Sequence, residues 1–298
     1  MRDALCRELA QLDIAVVAAA SPLAAASSWL AAIHPRPAES ATDFLGRVAN
    51  TFAAVWLVAP ESAGIATALT RQLERCDATV LGCRSDAVAL ASSKSRCLAR
   101  LAAVGITTVP TWPLTRAPLT EHALWVVKPD VGCGCQDMRR LSATDAAHLD
   151  VDGAIAQPWL DGLTMSLSLL VADGCCELLS INRQHIDIAA SGALALAGIS
   201  RCPALDPMLV GRLRLLARRI ADAIPGLAGY VGVDFVLMPD GEAVVLEVNP
   251  RLTSAFVGLS DFLDRSVAGD IMAALAPRLL GPCTDLPPWS VGISAAPT

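Results

Sequence analysis

Residues 229–251, GYVGVDFVLMPDGEAVVLEVNPR, constrain the fold of this chain more than any other segment. Two runs of β-branched and apolar residues flank the turn sequence PDGE, a pattern that predicts an antiparallel hairpin. If these four residues form the turn, Met238 faces Ala243, and counting outward sets Asp234 opposite Glu247. The two carboxylates would then lie about 5 Å apart at Cβ, in an otherwise apolar hairpin.

Asn249 adds a third oxygen to this pair, because side chains two positions apart on a strand share a face and Glu247 precedes it by two. Opposed carboxylates are unfavourable unless a cation neutralises them. Carboxylate and amide oxygens are the ligands of Mg²⁺ or Mn²⁺ rather than of Zn²⁺, so Asp234, Glu247 and Asn249 are candidate metal ligands. The alternative is a buried ion-pair network in which Arg251 pairs with the two acids.

Composition indicates a globular protein of the cytoplasm. The chain has 298 residues, of which 54% are hydrophobic, and a net charge of -6 with 4% aromatic residues. This balance argues against a nucleic-acid partner. The uncharged run from Ile14 to Ile33 is rich in Ala and Ser and contains Pro22, so we do not expect it to span a membrane. Acidic residues ahead of this run also argue against a signal peptide.

The cysteines show no zinc-binding spacing, because the sequence contains no Cys-x-x-Cys pair and only 4 histidines. We expect them to be reduced, as in a cytoplasmic protein. Cys133 and Cys135 fall in a loop of small residues, and we interpret them as fillers rather than nucleophiles, since no basic residue is adjacent.

The order of the segments predicts an α/β (α+β) protein. Apolar runs at 53–60 and 78–83 flank a helical segment at 62–75, which predicts a βαβ unit. A helix is predicted over 86–104, and a strand at 125–129 leads into the loop DVGCGC. Loops of small residues bring backbone N–H groups close to a ligand. Further strands at 154–160, 164–174 and CCELLSIN precede an amphipathic helix that begins at Asp206-Pro207.

The lysines are a separate signal. Only Lys94 and Lys128 are lysine among 23 basic residues. An ammonium that persists in such an arginine-rich background suggests a site that cannot accommodate a guanidinium, such as a phosphate site.

Four segments in this order resemble the ATP-grasp superfamily over about residues 85–260. They are SDAVALASSKSRCLARLAAVGITTVPTW, VVKPDVGCG, AIAQPWLDG and the hairpin with Asp234, Glu247 and Asn249. The resemblance implies an ATP-grasp fold over residues 88–298, with ATP clamped between subdomains of about 88–160 and 161–298, behind a small α/β pre-ATP-grasp domain at 1–87.

The resemblance also implies roles for individual residues. ATP would contact Lys94, Lys128, Gly132, Gly134, Gln157, Trp159 and Leu160. Mg²⁺ or Mn²⁺ would be held by Asp234, Glu247 and Asn249. Thr164 stands where the family often has a carboxylate for the ribose hydroxyls. A tetrahedral intermediate would need positive charge, for which Arg251 and Arg183 are candidates, with Asn182 beside the phosphoryl centre.

Within the superfamily, VAPES, LLSINRQHI and VLEVNPRLTSAFVGL are similar to the tyramine–glutamate ligases of methanofuran biosynthesis. The resemblance implies that ATP, L-glutamate and tyramine give γ-glutamyltyramine, with Glu61, Thr253 and Ser254 near substrate. Glu61 could equally be a solvated acid in the first turn of a helix.

Several alternatives stay open from sequence alone. One is a ligase for another amino acid or dipeptide, of the D-alanine–D-alanine type, and another is an ATP-binding protein without catalysis. A dinucleotide-binding oxidoreductase is disfavoured, because the loop lacks the third glycine of that motif. The expected partners are a small-molecule carboxylate and an amine, and a homodimer is among the assemblies that the resemblance allows.

Overall fold

The protein combines two antiparallel sheets with short parallel strand pairs near its N-terminus. A computed structural model describes residues 1–19, 30–132, 134–135, 137–202 and 204–280. Within these residues the α-helices are α1 (Arg2–Ala10), α2 (Ala41–Val48), α3 (Ile65–Leu73), α4 (Ser85–Ser92), α5 (Lys94–Ala103), α6 (Ala143–Ala147), α7 (Pro207–Ala223), α8 (Leu259–Leu263) and α9 (Val267–Leu275). The strands are β1 (Val17–Ala19), β2 (Ala31–Ile33), β3 (Ala54–Val55), β4 (Thr79–Val80), β5 (Trp112–Pro113), β6 (Leu124–Pro129), β7 (Arg139–Ser142), β8 (Ala154–Pro158), β9 (Leu163–Ala172), β10 (Cys175–Ile188), β11 (Leu194–Arg201), β12 (Gly229–Leu237) and β13 (Ala243–Asn249).

The larger sheet has the strand order β11-β10-β9-β12-β13, and each pair of neighbours is antiparallel. Met165, Leu167 and Leu169 on β9 alternate with polar residues and join the main core. Helix α7 packs on this core face through Leu213 and Ile220, which are buried. The opposite face of the same sheet carries the alternating polar side chains.

The smaller sheet has the order β5-β8-β6-β7 and encloses its own core around Trp125, which is fully buried. The Trp125 Nε1 atom donates to the carbonyls of Leu119 and His122 at 3.1 and 3.0 Å, so the buried indole is satisfied. Residues 159–162 connect β8 in this sheet to β9 in the larger one. The two sheets are thus joined by a connection of four residues.

The N-terminal part has the predicted strand–helix–strand order with shorter strands than the sequence suggested. The expected strands at 53–60 and 78–83 reduce to β3 and β4, which pair in parallel through Ala54–Thr79 and Val55–Val80. Between β3 and α3 the chain turns at Ala63 and Gly64, which both have positive φ, at 52° and 70°. Residues 20–29 of the uncharged run lie outside the described part of the chain. Among the residues that are described, no helix has the length and apolar character needed to cross a membrane.

The single helix predicted over 86–104 is wrong, because the structure divides it into α4 and α5 at Ser93. Ser93 has an extended backbone, with φ -91° and ψ 108°, and its hydroxyl accepts from the Arg96 N–H as an N-cap. Asp130 fixes the break: one carboxylate oxygen accepts from the Ser93 hydroxyl at 2.6 Å and the other from the Ser95 N–H at 2.7 Å. The break makes Lys94 the first residue of a helix.

The β12–β13 hairpin contains the predicted pair of Asp234 and Glu247, yet its turn differs from the prediction. The pairing of Met238 with Ala243 is wrong, since Leu237 pairs with Ala243. Gly241 has φ +82°, which makes Pro239–Gly241 a three-residue turn. A register shift between Asp234 and Phe235 leaves Leu246 as an extra residue on β13. The bulge offsets the shorter turn and restores the pairing of the two acids.

Candidate active site

One face of the larger sheet carries a row of polar side chains across four strands. Asn182 on β10 pairs with Ser166 on β9, Ser166 pairs with Asp234 on β12, and Asp234 pairs with Glu247 on β13. Directly opposed residues of antiparallel strands project to the same face, so these four side chains share one surface. Asn249 is two residues beyond Glu247 and belongs to the same face.

The two carboxylates of this row are half-buried in unlike surroundings. Asn249 Nδ2 lies 3.2 Å from Asp234 Oδ2, and Gln184 Nε2 donates to Asp234 Oδ1 at 3.0 Å. Burial, together with the negative charge of Glu247, raises the pKa of Asp234 well above its ordinary value. Burial would also raise the pKa of Glu247, but the nearby charges of Lys94 and Lys128 outweigh it and hold that pKa low. The site therefore stabilises one carboxylate in ionised form and leaves the other short of positive charge.

Both lysines converge on Glu247. Its Oε2 atom lies 3.4 Å from the Nζ atom of Lys94 and 3.9 Å from that of Lys128. The side chains of both lysines are nearly inaccessible, at 7% and 4% exposed. Burial lowers the pKa of Lys128, and the charge of Lys94 lowers it further, while Glu247 opposes the shift. The two buried ammonium groups thus converge on one point, an arrangement that suits a polyanionic ligand.

The small-residue loop after β6 encloses the lysines. Lys94 Nζ donates to the Gly132 carbonyl at 3.0 Å. Lys94, Lys128, Gly132, Gly134 and Glu247 line one small cavity, together with Pro129, Cys135 and Met138. The φ of Gly134 is +69°, a conformation in which a side chain is unfavourable. Burial raises the pKa of the Cys135 thiol, in keeping with an unreactive filler, whereas Cys133 lies outside the described residues.

The segment with Gln157, Trp159 and Leu160, which is predicted to contact ATP, ends β8 and begins the connection between the two sheets. Gln157 is 2% exposed and its Nε2 atom donates to the Thr111 hydroxyl at 2.9 Å. The Trp159 N–H donates to the Leu124 carbonyl at 3.0 Å, so that amide is engaged in the smaller sheet. Arg140 lies over the Trp159 ring at 5.0 Å, and Leu160 packs against the main core. These contacts fix the start of the connection against the smaller sheet and the main core.

Asn182 lies at the centre of a buried hydrogen-bond network that the sequence did not predict. Its Oδ1 atom accepts from Arg201 NH1 at 2.8 Å, and the Nδ2 atom is within 3.3 Å of the hydroxyls of Ser166 and Ser168. The alternation of Ser and Leu in TMSLSLL is the signal that could have indicated a strand with one polar face.

The structure does not bring Arg183 to this face. Arg183 pairs with Met165, which pairs with Phe235, and both of these partners lie in the main core. Its side chain is exposed and projects to the side of the sheet opposite Asp234. The guanidinium on the site's own face is that of Arg201, which pairs with Asn182 across the β10–β11 ladder.

Arg251 does not pair with the two acids of the hairpin, so the ion-pair alternative is wrong in that form. Its Nε atom instead donates to Glu61 Oε1 at 2.7 Å, and its NH1 atom donates to the Leu252 carbonyl at 3.0 Å. Glu61 is only 3% exposed, so it is not the solvated helix acid that the sequence left open. The pair joins the loop after β3 to the segment that follows the hairpin.

Thr253 and Ser254 follow this segment and begin the short helical turn Ser254–Phe256. The Thr253 hydroxyl lies 3.0 Å from that of Tyr230, which in turn donates to Ser168 at 2.9 Å. Arg201 NH2 donates to the carbonyls of Ala255 and Val257 at 2.7 and 2.9 Å. The predicted substrate segment is thus held against the polar face of the sheet from two sides.

The donor set at Asp234 and Glu247 fits a magnesium or manganese ion. The two carboxylates face each other, the Asn249 amide adjoins them, and burial together with the charge of Glu247 raises the pKa of Asp234. Hard divalent cations take carboxylate and amide oxygens of this kind. Among the described residues, no group of three or more His, Cys, Asp or Glu side chains is arranged to hold a metal, so the candidate site rests on two carboxylates and one amide.

Comparison with protein families assigns both parts of the chain. Residues 91–255 match the ATP-grasp domain, and residues 6–88 match the pre ATP-grasp 3 domain.

Among curated proteins, the chain is similar to the tyramine–L-glutamate ligases of two methanogens. The protein of Methanocaldococcus jannaschii is 30% identical over 203 residues, which is 68% of this chain and 57% of that protein. The protein of Methanocaldococcus fervens is 28% identical over the same length and 60% of its own chain is covered. The chain therefore matches somewhat more than half the length of these relatives.

Solved structures show the same fold. An ATP-grasp superfamily protein from Archaeoglobus fulgidus is 25% identical with a TM-score of 0.62, covering 83% of this chain and 71% of that one. The L-amino acid ligase of Bacillus licheniformis is 17% identical with a TM-score of 0.71, covering 91% and 71%. At that identity the second likeness is one of fold alone.

Proposed function

The chain belongs to the ATP-grasp family, and from this premise we propose that it is an ATP-dependent ligase that joins a carboxylate to an amine. The observation that carries the proposal is the convergence of Lys94 and Lys128 on Glu247, opposite Asp234 and beside Asn249. In the proposed reaction the substrate carboxylate accepts the γ-phosphoryl group of ATP, and the amine then displaces phosphate from the acylphosphate. Both steps need dispersed negative charge to be held in a fixed geometry.

The lysines and the small-residue loop would hold the nucleotide phosphates. Lys94 is the first residue of helix α5, and Lys128 is the last but one of strand β6. Both ammonium groups are therefore carried by regular elements. Their burial removes competing water and strengthens their attraction for phosphate. Gly132 and Gly134 line the same cavity and would let backbone N–H groups approach the ligand.

Asp234, Glu247 and Asn249 would hold the divalent cation. When bound, the ion would supply charge neutralisation at the β- and γ-phosphates. The protein's own contribution is to orient the ligands: Gln184 fixes the Asp234 carboxylate, and the bulge at Leu246 aligns Glu247 with it.

Arg251 and Asn182 would act around the reacting carbonyl and phosphoryl groups. Arg251 follows the metal ligand Asn249 by two residues and is held by Glu61 at 2.7 Å, so its guanidinium has a defined position. An oxyanion that forms during attack by the amine would be stabilised by such a pre-oriented cation. Asn182 would position Arg201, its partner at 2.8 Å, on the same face.

The substrate pair that we propose is L-glutamate and tyramine, giving γ-glutamyltyramine. The similarity to the tyramine–L-glutamate ligases of Methanocaldococcus supports this choice. Glu61, Thr253 and Ser254 would contact substrate at the segment that follows the hairpin. Use of the product in methanofuran biosynthesis stays part of the same proposal.

The domain division is likewise proposed. The family matches end at residue 88 and resume at residue 91, within helix α4, which supports a division close to the proposed boundary between residues 87 and 88.

The test is release of ADP and phosphate from ATP with L-glutamate and tyramine in the presence of Mg²⁺, with mass analysis of the product. We expect ADP and γ-glutamyltyramine in equal amounts. ADP release with another amino acid or amine, but not with this pair, would indicate that the protein is a ligase with different substrates. Binding of ATP without turnover for every acid and amine in the panel would contradict the proposed activity.

A further inference from the structure

Glu61 has one carboxylate oxygen in use and one that is buried without a partner. Its Oε1 atom accepts from Arg251 Nε at 2.7 Å. Its Oε2 atom is inaccessible to solvent and has no hydrogen-bond partner among the described residues. Burying an unsatisfied charged oxygen is unfavourable, so such an atom at a cleft indicates a missing donor.

The position of Glu61 in the fold is one where ligands commonly bind. Strands β3 and β4 are parallel, and Glu61 follows the carboxyl end of β3. Gly82 and Cys83 follow the carboxyl end of β4, and both line the same cavity as Glu61. In open α/β sheets, ligands bind in the crevice beyond the carboxyl ends of the strands.

The cavity is bounded on the other side by the catalytic region. Arg251, Pro250 and Tyr230 line it from the segment after the hairpin and from β12, and Trp56 lines it from the N-terminal part. Its volume is about 30 Å³, which is enough for a water-sized group and too small for an aromatic ring. Only the polar end of a substrate could enter.

The missing group must be a hydrogen-bond donor, since an ionised carboxylate only accepts. A compact cation is favoured, because a hydrogen bond between an ammonium and a carboxylate is stronger than one from a neutral group.

We propose that Glu61 Oε2 binds the primary ammonium group of a substrate, in the cavity between the β3 and β4 loops and Arg251. The inference rests on the proposed ligase function and adds the chemical group that the N-terminal part recognises. The ammonium could belong to the amino acid that supplies the carboxylate or to the amine acceptor. A buried water on Oε2 is the competing occupant.

The test compares binding of ligands with and without the amino group, using protein loaded with Mg²⁺ and a non-hydrolysable ATP analogue. The pairs are L-glutamate against glutarate, and tyramine against 4-(2-hydroxyethyl)phenol. The variant is Glu61→Gln, which keeps the volume and an oxygen for Arg251 but replaces Oε2 with an amide that repels an ammonium. Glu121→Gln, at an exposed position, is the matched control. If Glu61→Gln does not fold, Glu61→Asp withdraws the same oxygen.

We expect the wild type and Glu121→Gln to bind one amino ligand at least about tenfold more tightly than its deamino analogue. In Glu61→Gln this ratio should fall to near one, and the pair that changes identifies the source of the ammonium. Unchanged ratios for both pairs, in a protein that still joins glutamate to tyramine, would overturn the inference and leave the proposed function intact.

A wild type that binds neither glutamate nor tyramine would instead contradict the proposed substrates. The comparison then moves to a panel of amino acids and primary amines with their deamino analogues. A Glu61-dependent preference for any amino ligand supports the inference, and the absence of such a preference across the panel overturns it.

Discussion

The Nζ atom of Lys94 lies 3.4 Å from Oε2 of Glu247, which joins the first residue of helix α5 to the last strand of the larger sheet. Helix α5 packs directly on this strand, whereas Lys128, whose Nζ atom is 3.9 Å from the same oxygen, reaches it from β6 of the smaller sheet. Until a nucleotide arrives, Glu247 is the counter-ion of both lysines, and a bound polyphosphate with its metal would redistribute these charges.

Replacing Glu247 with Gln should therefore abolish most turnover. The substitution keeps the shape of the side chain but removes the ionised oxygen that faces the lysines and Asp234. We expect ATP-dependent ADP release to fall by about a hundredfold or more, as for loss of a major electrostatic contributor to a transition state. A Mg²⁺ titration of turnover provides the measurement, and Glu121→Gln is the exposed control. Unchanged turnover in Glu247→Gln would refute the metal assignment.

The lysines should not tolerate arginine. Lys128 is 4% exposed, so the larger planar guanidinium cannot enter without displacing its neighbours. We expect Lys128→Arg to weaken ATP binding about tenfold or more, although the charge is retained. Calorimetric titration with a non-hydrolysable analogue measures this. Arg116→Lys, at an exposed site, is the control for an exchange of basic residues and should bind as the wild type does. Equal affinities for Lys128→Arg and the wild type would show that the site is not shaped around an ammonium.

Variants of the Arg251–Glu61 pair should affect the stability and the activity of the protein differently. Arg251→Met leaves the buried Glu61 carboxylate without its cation, which typically costs about 3–5 kcal/mol of unfolding free energy. Adding Glu61→Leu removes that uncompensated charge, so the double variant should recover much of the stability. Because both polar groups are then missing, turnover should stay low. Denaturant unfolding and ADP release are measured side by side, and a double variant with restored turnover would contradict a catalytic role for the pair.

Arg201 should act by positioning the substrate segment. Its guanidinium donates hydrogen bonds to the carbonyls of Ala255 and Val257 and to Asn182 Oδ1. The shorter amide of a glutamine at this position could not make all three. We expect Arg201→Gln to raise the KM for the acid or the amine several-fold while ATP affinity is kept. Hydrogen exchange of residues 254–258 should become faster. An effect on ATP binding of the same size as that on KM would indicate general loss of structure instead.

The sequence predicted those parts of the site that depend on local pattern. Asp234 and Glu247 could be paired from alternation and a turn, because both signals lie within one hairpin. Lys94 and Lys128 stood out only because arginine replaces lysine elsewhere in the chain. The polar row was partly visible in the alternation of Ser166 and Ser168 with leucines.

The missed features depend on contacts between distant segments. The helix break at Ser93 is fixed by Asp130, and the position of Arg251 by Glu61, which is 190 residues away in sequence. No local propensity encodes such contacts. Arg183 was a candidate because of a motif resemblance, and such a resemblance does not state which face of a strand a residue occupies. In the structure Arg183 lies on the face opposite Asp234. The turn register failed because one positive-φ glycine shortens the loop by a residue.

The bulge at Leu246 separates two pairing registers of the hairpin, one at its tip and one at its proposed metal ligands. A change in the length of the tip can be absorbed where the extra residue sits, before it reaches Glu247 and Asn249. Changes in the length of this turn should therefore be tolerated. A reporter peptide inserted at Asp240 should leave Glu247 and Asn249 aligned with Asp234.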